Sequence, residues 1–398
     1  MSEKRPKIAF WFRYGPAEHA ELCHAIPRII EELNKRADVH YFCLRGPRPT
    51  PQKIVSNATV HVLPVTIDRS STRDKFIKTA VWIALLPFVA MECKKLGIDA
   101  VYIDETIPFT SWIARKLFGP RVAITVVDFF VDIYMTSGWK ADLGRKIRAF
   151  DLENWRQLPA IMTRAKSTRD YLAQQGIDPA RVFPVYDPCD MTIYRPLDRG
   201  VARKRFGYSD EHVVLMHHGI LHPNKGNDRI LRSLAKLKPQ IPQLRFLLVG
   251  DGPEMENLRT QAKDLGIEDI VQFTGWLPQL GDVNEAINAG DIGLVMRVGA
   301  KSDDFHMTGA LVHSMACGLP ILAAKLGGVS EVVIEDKNGL LFPPDQMGVF
   351  EEKLIRLATD AALRRRLGFD ALETAKQSFD MKTVINQTVE WLLSLAAS

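Results

Sequence analysis

Met307–Glu335, MTGALVHSMACGLPILAAKLGGVSEVVIE, decides the fold. The stretch reads as a short turn, a helix of small residues, a buried strand, a glycine turn and a second helix. Thr308 and Gly309 stand where the first helix begins, so the unpaired backbone N–H groups and dipole of that end favour a phosphate. Ala310, Ser314, Ala316 and Gly318 keep the helix slim enough for a ligand to lie close to its backbone. Ile321–Ala324 predicts a strand, and Gly327-Gly328 lets the chain turn tightly beside whatever is bound. Alone, the segment is an ordinary strand–helix unit of an α/β domain, so the flanking sequence has to decide what it binds.

Outward from this stretch, apolar runs alternate with helical patterns along the whole chain. The first half predicts strands at Ile8–Phe12, Val39–Cys43, Val60–Leu63, Ala100–Ile103, Val122–Val127, Ala160–Thr163 and Val182–Val185. Between them fall helices at about Ala20–Arg36, Pro108–Phe118 and Leu143–Trp155, with Ser167 placed to cap another. Asp187–Arg199 is polar and turn-rich and reads as a linker. The second half restarts with strands at Val213–His217, Arg245–Val249, Ile270–Phe273 and Ile292–Met296. Helices are predicted at Asp228–Lys238, Glu254–Leu265 and Val283–Ala289, and a last one at Thr383–Leu395. Such alternation implies parallel sheets. The prediction is an α/β chain of two doubly wound, Rossmann-like domains, residues 1–190 and 206–378. A hinge at 191–205 joins them, and a closing helix at 379–398 packs back on the first. A ligand is expected in the cleft between the domains, at the carboxyl ends of the strands.

Composition narrows the classes of function. The 398 residues suffice for two domains. A net charge of +5 is small for this length, and with no recognisable module it argues against a nucleic-acid partner. The five cysteines are scattered without metal-binding spacing, which points to a reducing, cytoplasmic compartment and no metal. MSEKRPKIAFWF reads as a first strand and not as a signal peptide. No run of eighteen apolar residues occurs, so no transmembrane helix is predicted. The nearest segment is Thr79–Cys93, TAVWIALLPFVAMEC, with Arg69, Arg73, Lys75 and Lys78 before it and Lys94 and Lys95 after. It reads either as a buried helix interrupted near Pro87 or as a helix lying in a membrane interface. The basic stretch Lys140–Arg148 adds to the case for a peripheral position on the inner face of a membrane.

Several turns of the second half carry chemistry. HHGILHPNKGNDRIL places Gly219 at a strand end and Lys225 before a helix, where an ammonium can neutralise a diphosphate. LLVGDGPEMENL makes a tight strand-to-helix turn at Gly250, Gly252 and Pro253. QFTGWLPQ places Thr274 and Gly275 where the backbone can hold a nucleobase; Trp276 reads as packing.

These motifs, together with AGDIGLV, SMACGLPILA, GGVSEVV and NGLLFPP, occur in the order and spacing of family 4 glycosyltransferases of the GT-B type. The resemblance covers Val213–Phe379 well; AKSTRDYLAQQGI and FPVYDPCDMTIYRP carry it more weakly into the first half. It implies a GT-B-like fold and transfer of a sugar from a nucleoside-diphosphate sugar, UDP- or GDP-linked. Retention at the anomeric carbon, no metal and no cofactor are implied too, the nucleotide-sugar being a substrate. A glycan or glycolipid acceptor follows from the same resemblance. The sequence departs from the family at defined places. Of the family's two glutamates, the second position is His313 and the first is Phe305, beside Asp303-Asp304. Ile220 stands where an arginine is usual, and Asp128 stands where the strand Val122–Val127 usually ends in histidine.

Charge develops on the leaving diphosphate as the glycosidic bond breaks, and Lys225 with the N–H groups of Thr308 and Gly309 is placed to stabilise it. Asp303 or Asp304 would hold sugar hydroxyls, His313 the ribose or phosphate, and Glu331 the donor. On the acceptor side Gly15, Glu18, His19 and Asp128 fall at strand ends, and Glu18, His19 or Asp128 would take the acceptor proton. Two other readings stand beside this one. One is a nucleotide-sugar epimerase or phosphorylase on the same plan; a phosphorylase would need a lysine for pyridoxal phosphate, and no segment marks one out. A catalytically degenerate partner of an active transferase is favoured by the missing glutamates, and nucleotide-sugar hydrolysis would separate it from an enzyme.

Overall fold

Apolar runs bounded by turn residues become thirteen strands among the described residues, and every neighbouring pair runs parallel. The computed structural model describes residues 5–22, 25–46, 48–66, 72–127, 131, 135, 138–299, 303, 305 and 307–397. The chain divides into two units, Met1–Tyr186 with Lys382–Ser398, and Asp187–Met381.

The first unit runs β1 (Lys7–Phe12), α1 (Pro16–Leu22), α2 (Ile26–Leu33), β2 (Asp38–Arg45), α3 (Gln52–Val55), β3 (Thr59–Thr66), α4 (Thr72–Leu96), β4 (Ala100–Ile103), α5 (Thr110–Leu117), β5 (Val122–Val126), α6 (Gly138–Trp155), β6 (Ala160–Thr163), α7 (Lys166–Gln174) and β7 (Val182–Pro184). Its sheet has the order β3-β2-β1-β4-β5-β6-β7. Every residue of β4, β5 and β6 is buried, as expected where helices cover both faces of a parallel sheet.

The second unit runs α8 (Arg199–Phe206), β8 (Val213–His218), α9 (Asn227–Leu237), β9 (Leu244–Val249), α10 (Met255–Asp264), β10 (Val271–Gly275), α11 (Leu280–Ala289), β11 (Ile292–Val295), α12 (Gly309–Ala316), β12 (Ile321–Ala324), α13 (Gly327–Ser330), β13 (Gly339–Phe342), α14 (Met347–Thr359) and α15 (Ala361–Ser378). Its sheet has the order β10-β9-β8-β11-β12-β13. The closing helix α16 (Met381–Ala397) returns to the first unit, where Trp391 meets Tyr102 edge-on at 5.8 Å and Phe183 at 6.1 Å.

Several local expectations change. The helix expected over Ala20–Arg36 is two helices, with Pro27 in the first turn of the second, the position a proline tolerates. Ser167 lies inside α7, and the cap position is Ala165. The turn after Gly327-Gly328 leads to a single helical turn, α13. The linker does not stand apart. Tyr194 is buried, and Asn284 and Asn288 accept from the backbone N–H groups of Arg195 and Leu197 at 3.2 and 2.8 Å, which joins 187–206 to the second unit.

α4 passes unbroken through Pro87. Its segment Phe76–Leu96 is long and apolar enough, by length and composition, to cross a membrane, against the expectation of no such helix. The helix is nonetheless docked. Lys78, Trp82, Leu86, Val89 and Cys93, spaced three and four apart, are buried in one stripe.

Candidate functional site

In the second sheet the strand order reverses at β8, which lies between β9 and β11. A ligand crevice opens beyond the carboxyl ends of strands at such a point. Past β8 the chain runs through Gly219 to Lys225, and past β11 through Met296, Arg297 and Val298. The two loops are tied together: the Val298 N–H donates to the Asn224 carbonyl at 3.0 Å. Gly226 follows Lys225 with φ +61°, and a Cβ there would come within 3.0 Å of Met296 Cε.

Arg297 and Lys225 are therefore neighbours. Arg297 is 9% exposed, its Nη1 donates to Asp303 at 2.9 Å, and its Nε has no hydrogen-bond partner among the described residues. Burial first, and then the Arg297 charge, push the Lys225 ammonium down to about 8, with Asp303 pulling the other way. Among the described residues two cations thus face one carboxylate in a desolvated place, which is the electrostatic form of an anion site. Arg297 was not singled out by sequence. The strand prediction ran on to Met296 and absorbed the signal, a charged residue directly after a buried strand.

Three glycine turns form the floor beside this pair. The Gly219 N–H donates to the Val249 carbonyl at 2.9 Å, and the Gly250 N–H to the Gly275 carbonyl at 3.0 Å. Gly219 and Gly250 have φ of +132° and +131°, and a Cβ at Gly250 would overlap the Gly219 carbonyl. A Cβ at Gly252 would likewise overlap the backbone of Leu221. Gly250 and Gly252 thus allow the close packing of one turn on the next. Thr274 donates its hydroxyl to the Gly275 carbonyl at 2.8 Å, and Trp276 is 67% exposed, so it does not pack as expected.

At the start of α12, Thr308 is the N-cap and its Oγ1 accepts from the Leu311 N–H at 3.4 Å. His313, one turn in, folds back over Gly309: a Cβ at Gly309 would lie 3.3 Å from its Cε1. Its ring stacks on Tyr194 at 3.7 Å between centroids, and its Nδ1 meets His218 Nε2 at 3.2 Å. Burial, then the neighbouring His313, His217 and Lys225, hold His218 well below the usual imidazole range, so it is neutral at pH 7. His217 donates from Nδ1 to the Leu294 carbonyl at 3.1 Å, and its buried Nε2 has no hydrogen-bond partner among the described residues.

Asp303 is 2% exposed and pairs with Arg297 at 2.9 Å. Glu331 is half-buried and caps the C-terminal end of α13. Asp304 and Asp128 lie outside the described residues.

In the first sheet the order reverses at β1, between β2 and β4. Beyond those strand ends stand Arg13 to Gly15 and Asp104-Glu105. His19, 1% exposed, is engaged at both nitrogens: Nε2 donates to Asp104 at 2.9 Å and Nδ1 accepts from the Tyr41 hydroxyl at 2.6 Å. Phe12 stacks on its ring at 3.7 Å. Burial opposes charge on Asp104, but hydrogen bonds from His19 and Tyr102 and the Arg164 charge at 3.7 Å outweigh it and hold the carboxyl well below its usual range. Glu105 goes the other way: burial raises it to about 7 although Arg13 lies at 3.2 Å. Glu18, 2% exposed, pairs with Arg48 at 3.6 Å and presses against Gly15, where a Cβ would lie 2.6 Å from its Oε2. Gly15 makes room for Glu18, and His19 and Glu18 are internal partners of this structure with little surface for an acceptor.

The family described as glycosyl transferases group 1 matches residues 198–373. Over these residues the chain resembles the group 1 glycosyltransferases. The matched residues include the whole Lys225–Arg297 site. The N-acetyl-alpha-D-glucosaminyl L-malate synthase of Bacillus anthracis is 24% identical over 359 residues, 90% of this chain and 89% of that one. The D-inositol 3-phosphate glycosyltransferase of Kribbella flavida is 30% identical over 210 residues, 50% of this chain and 48% of that one, so the chain matches about half of that relative's length. The structure of Anabaena Alr3699/HepE in complex with UDP superposes with a TM-score of 0.74 at 20% identity, covering 98% of this chain and all of that one. The fold is of the GT-B type, with a parallel sheet in each α/β unit.

Proposed function

We propose that this glycosyltransferase moves a sugar from a UDP- or GDP-linked donor to a hydroxyl of a glycan or lipid-linked acceptor, with retention at the anomeric carbon and without a metal. The observation that carries the reading is the Lys225–Arg297 pair, two partly or wholly buried cations that share Asp303 at the reversal point of the second sheet. Breaking the glycosidic bond puts charge on the diphosphate, and preorganised cations in a dry site stabilise that charge more than water would. The N–H groups at the start of α12 add to them. UDP ranks first among the nucleotides because the Anabaena relative is described in complex with UDP and with UDP-glucose. Retention through an oxocarbenium-like species asks for no strong protein nucleophile, in keeping with His313 in place of a carboxylate.

Calorimetric titration with UDP, GDP and ADP tests the proposal, repeated with Lys225→Ala. Tight binding of one diphosphate, lost in the variant, supports it and names the donor for sugar-transfer assays. No binding of any diphosphate to the folded protein overturns it. Binding without turnover or hydrolysis of any nucleotide-sugar favours the second reading, a non-catalytic partner, for which the absence of the family's two glutamates speaks.

A further inference from the structure

We propose that the helical face formed by α4, α5 and α6 lies on an anionic lipid bilayer, parallel to it and without crossing it. The proposal deepens the lipid-linked acceptor reading above by naming the surface that would bring the enzyme to such an acceptor. The connections β3–α4–β4, β4–α5–β5 and β5–α6–β6 all advance the same way across the sheet, so right-handed crossovers put the three helices on one face. α5 touches both of the others, and Trp112 of α5 meets Phe150 of α6 edge-on at 5.8 Å.

Two properties set this face apart. Among the described residues, nine of the nineteen exposed large apolar side chains stand on these three helices. On α4 they include Ile77, Phe88 (61% exposed) and Met91, on the side opposite the buried stripe of Trp82 and Leu86; on α6, Trp139 is 71% exposed. In sequence the same helices carry eleven basic and five acidic residues, of which Lys78 and Asp151 are buried. Lys94, Lys95, Lys116, Lys140 and Lys146 are exposed among the apolar side chains. Aromatic and aliphatic groups interleaved with lysines suit the headgroup boundary, where the rings enter the acyl edge and the ammonium groups meet lipid phosphates. The exposed lysines make an anionic occupant the electrostatically matched one for this face. A spanning role for α4 would strip its buried stripe, which includes Lys78, from the domain.

Cosedimentation of the full chain with vesicles tests this. The lipids are phosphatidylcholine alone, or with about one-third phosphatidylglycerol. Binding is expected to the anionic vesicles, weaker with added salt. The exposed double variants Phe88→Ser/Met91→Ser and Lys94→Glu/Lys95→Glu should each lose affinity, the charge reversal by about tenfold or more. No vesicle binding, binding that neither variant weakens, or retention in the bilayer after alkaline extraction overturns the proposal. So does a dimer that Phe88→Ser/Met91→Ser turns into a monomer, since a second copy would then be the occupant. UDP titration of the same samples reports the sugar-donor site separately, so either reading can fail alone.

Discussion

The backbone N–H of Val298 donates to the carbonyl of Asn224 at 3.0 Å. That one bond joins the loops after β11 and β8 and places Arg297 next to Lys225, each one residue from the bond. Ile220, 60% exposed in the β8 turn, contributes no charge there; the second cation comes instead from the neighbouring strand.

Arg297→Ala is expected to weaken UDP binding by about 10- to 100-fold, the range of a lost charge-assisted hydrogen bond. Uridine binding should change little, because the contact is to phosphate. Calorimetry with UDP and uridine separates this from a structural role, in which both ligands and the melting temperature would fall together.

The Lys225 ammonium, pushed down to about 8, must carry its proton to hold a diphosphate. Affinity for UDP should therefore be full below about pH 8 and decline above it, and a bound anion will itself move the midpoint upward. Lys225→Arg, charged throughout, should flatten the profile. An unchanged slope in that variant would assign the titration to another group.

His217 is held at about 4 by burial first and then by the Lys225 charge, against 6.5 for a free imidazole. The unfolded chain takes up the proton near 6.5 and the folded chain does not. Stability from this residue is thus complete above about pH 6.5 and is lost as pH falls from there to about 4, by up to about 3 kcal/mol. Urea unfolding of wild type and His217→Asn at about pH 7 and about pH 4.5 reads the difference. Equal losses in both proteins would contradict the assignment.

Gly250→Ala forces a Cβ into the Gly219 carbonyl at a φ of +131°, and should cost several kcal/mol together with nucleotide binding. Gly281, in α11 with nothing within 4 Å of its Cβ position, is the control: Gly281→Ala should be neutral or stabilise by about 0.5–1 kcal/mol. Thermal unfolding of the two variants decides the matter.

Asp104→Asn removes the carboxylate charge that faces Arg164 and replaces one of the two oxygens that accept from His19 and Tyr102 with an amide donor. A loss of about 3–5 kcal/mol is expected, measurable by chemical denaturation. A loss near zero would mean that Asp104 is not what compensates Arg164.

By itself the sequence determined the number and order of strands to within one, because buried parallel strands must be apolar on both sides and must end in turn residues. β13 was visible only as the motif NGLLFPP. Lys225, Thr308 and Gly309 were legible for the same reason: a cation or a helix start after a buried strand is a local pattern. What only the tertiary structure decided depends on contacts between distant segments. Asp303 as the partner of Arg297, Gly15 as space for Glu18, and Gly250 as space for Gly219 are steric and ionic facts about neighbours that the spacing along the chain does not encode. His19 read as an acceptor base because it follows a strand end; its two hydrogen bonds reach Tyr41 and Asp104, 22 and 85 residues away, and bury it. The lipid-facing surface was half legible for the same physical reason, since the apolar run of α4 is contiguous whereas Trp112, Trp139 and Phe150 share a face only after the sheet has aligned three helices.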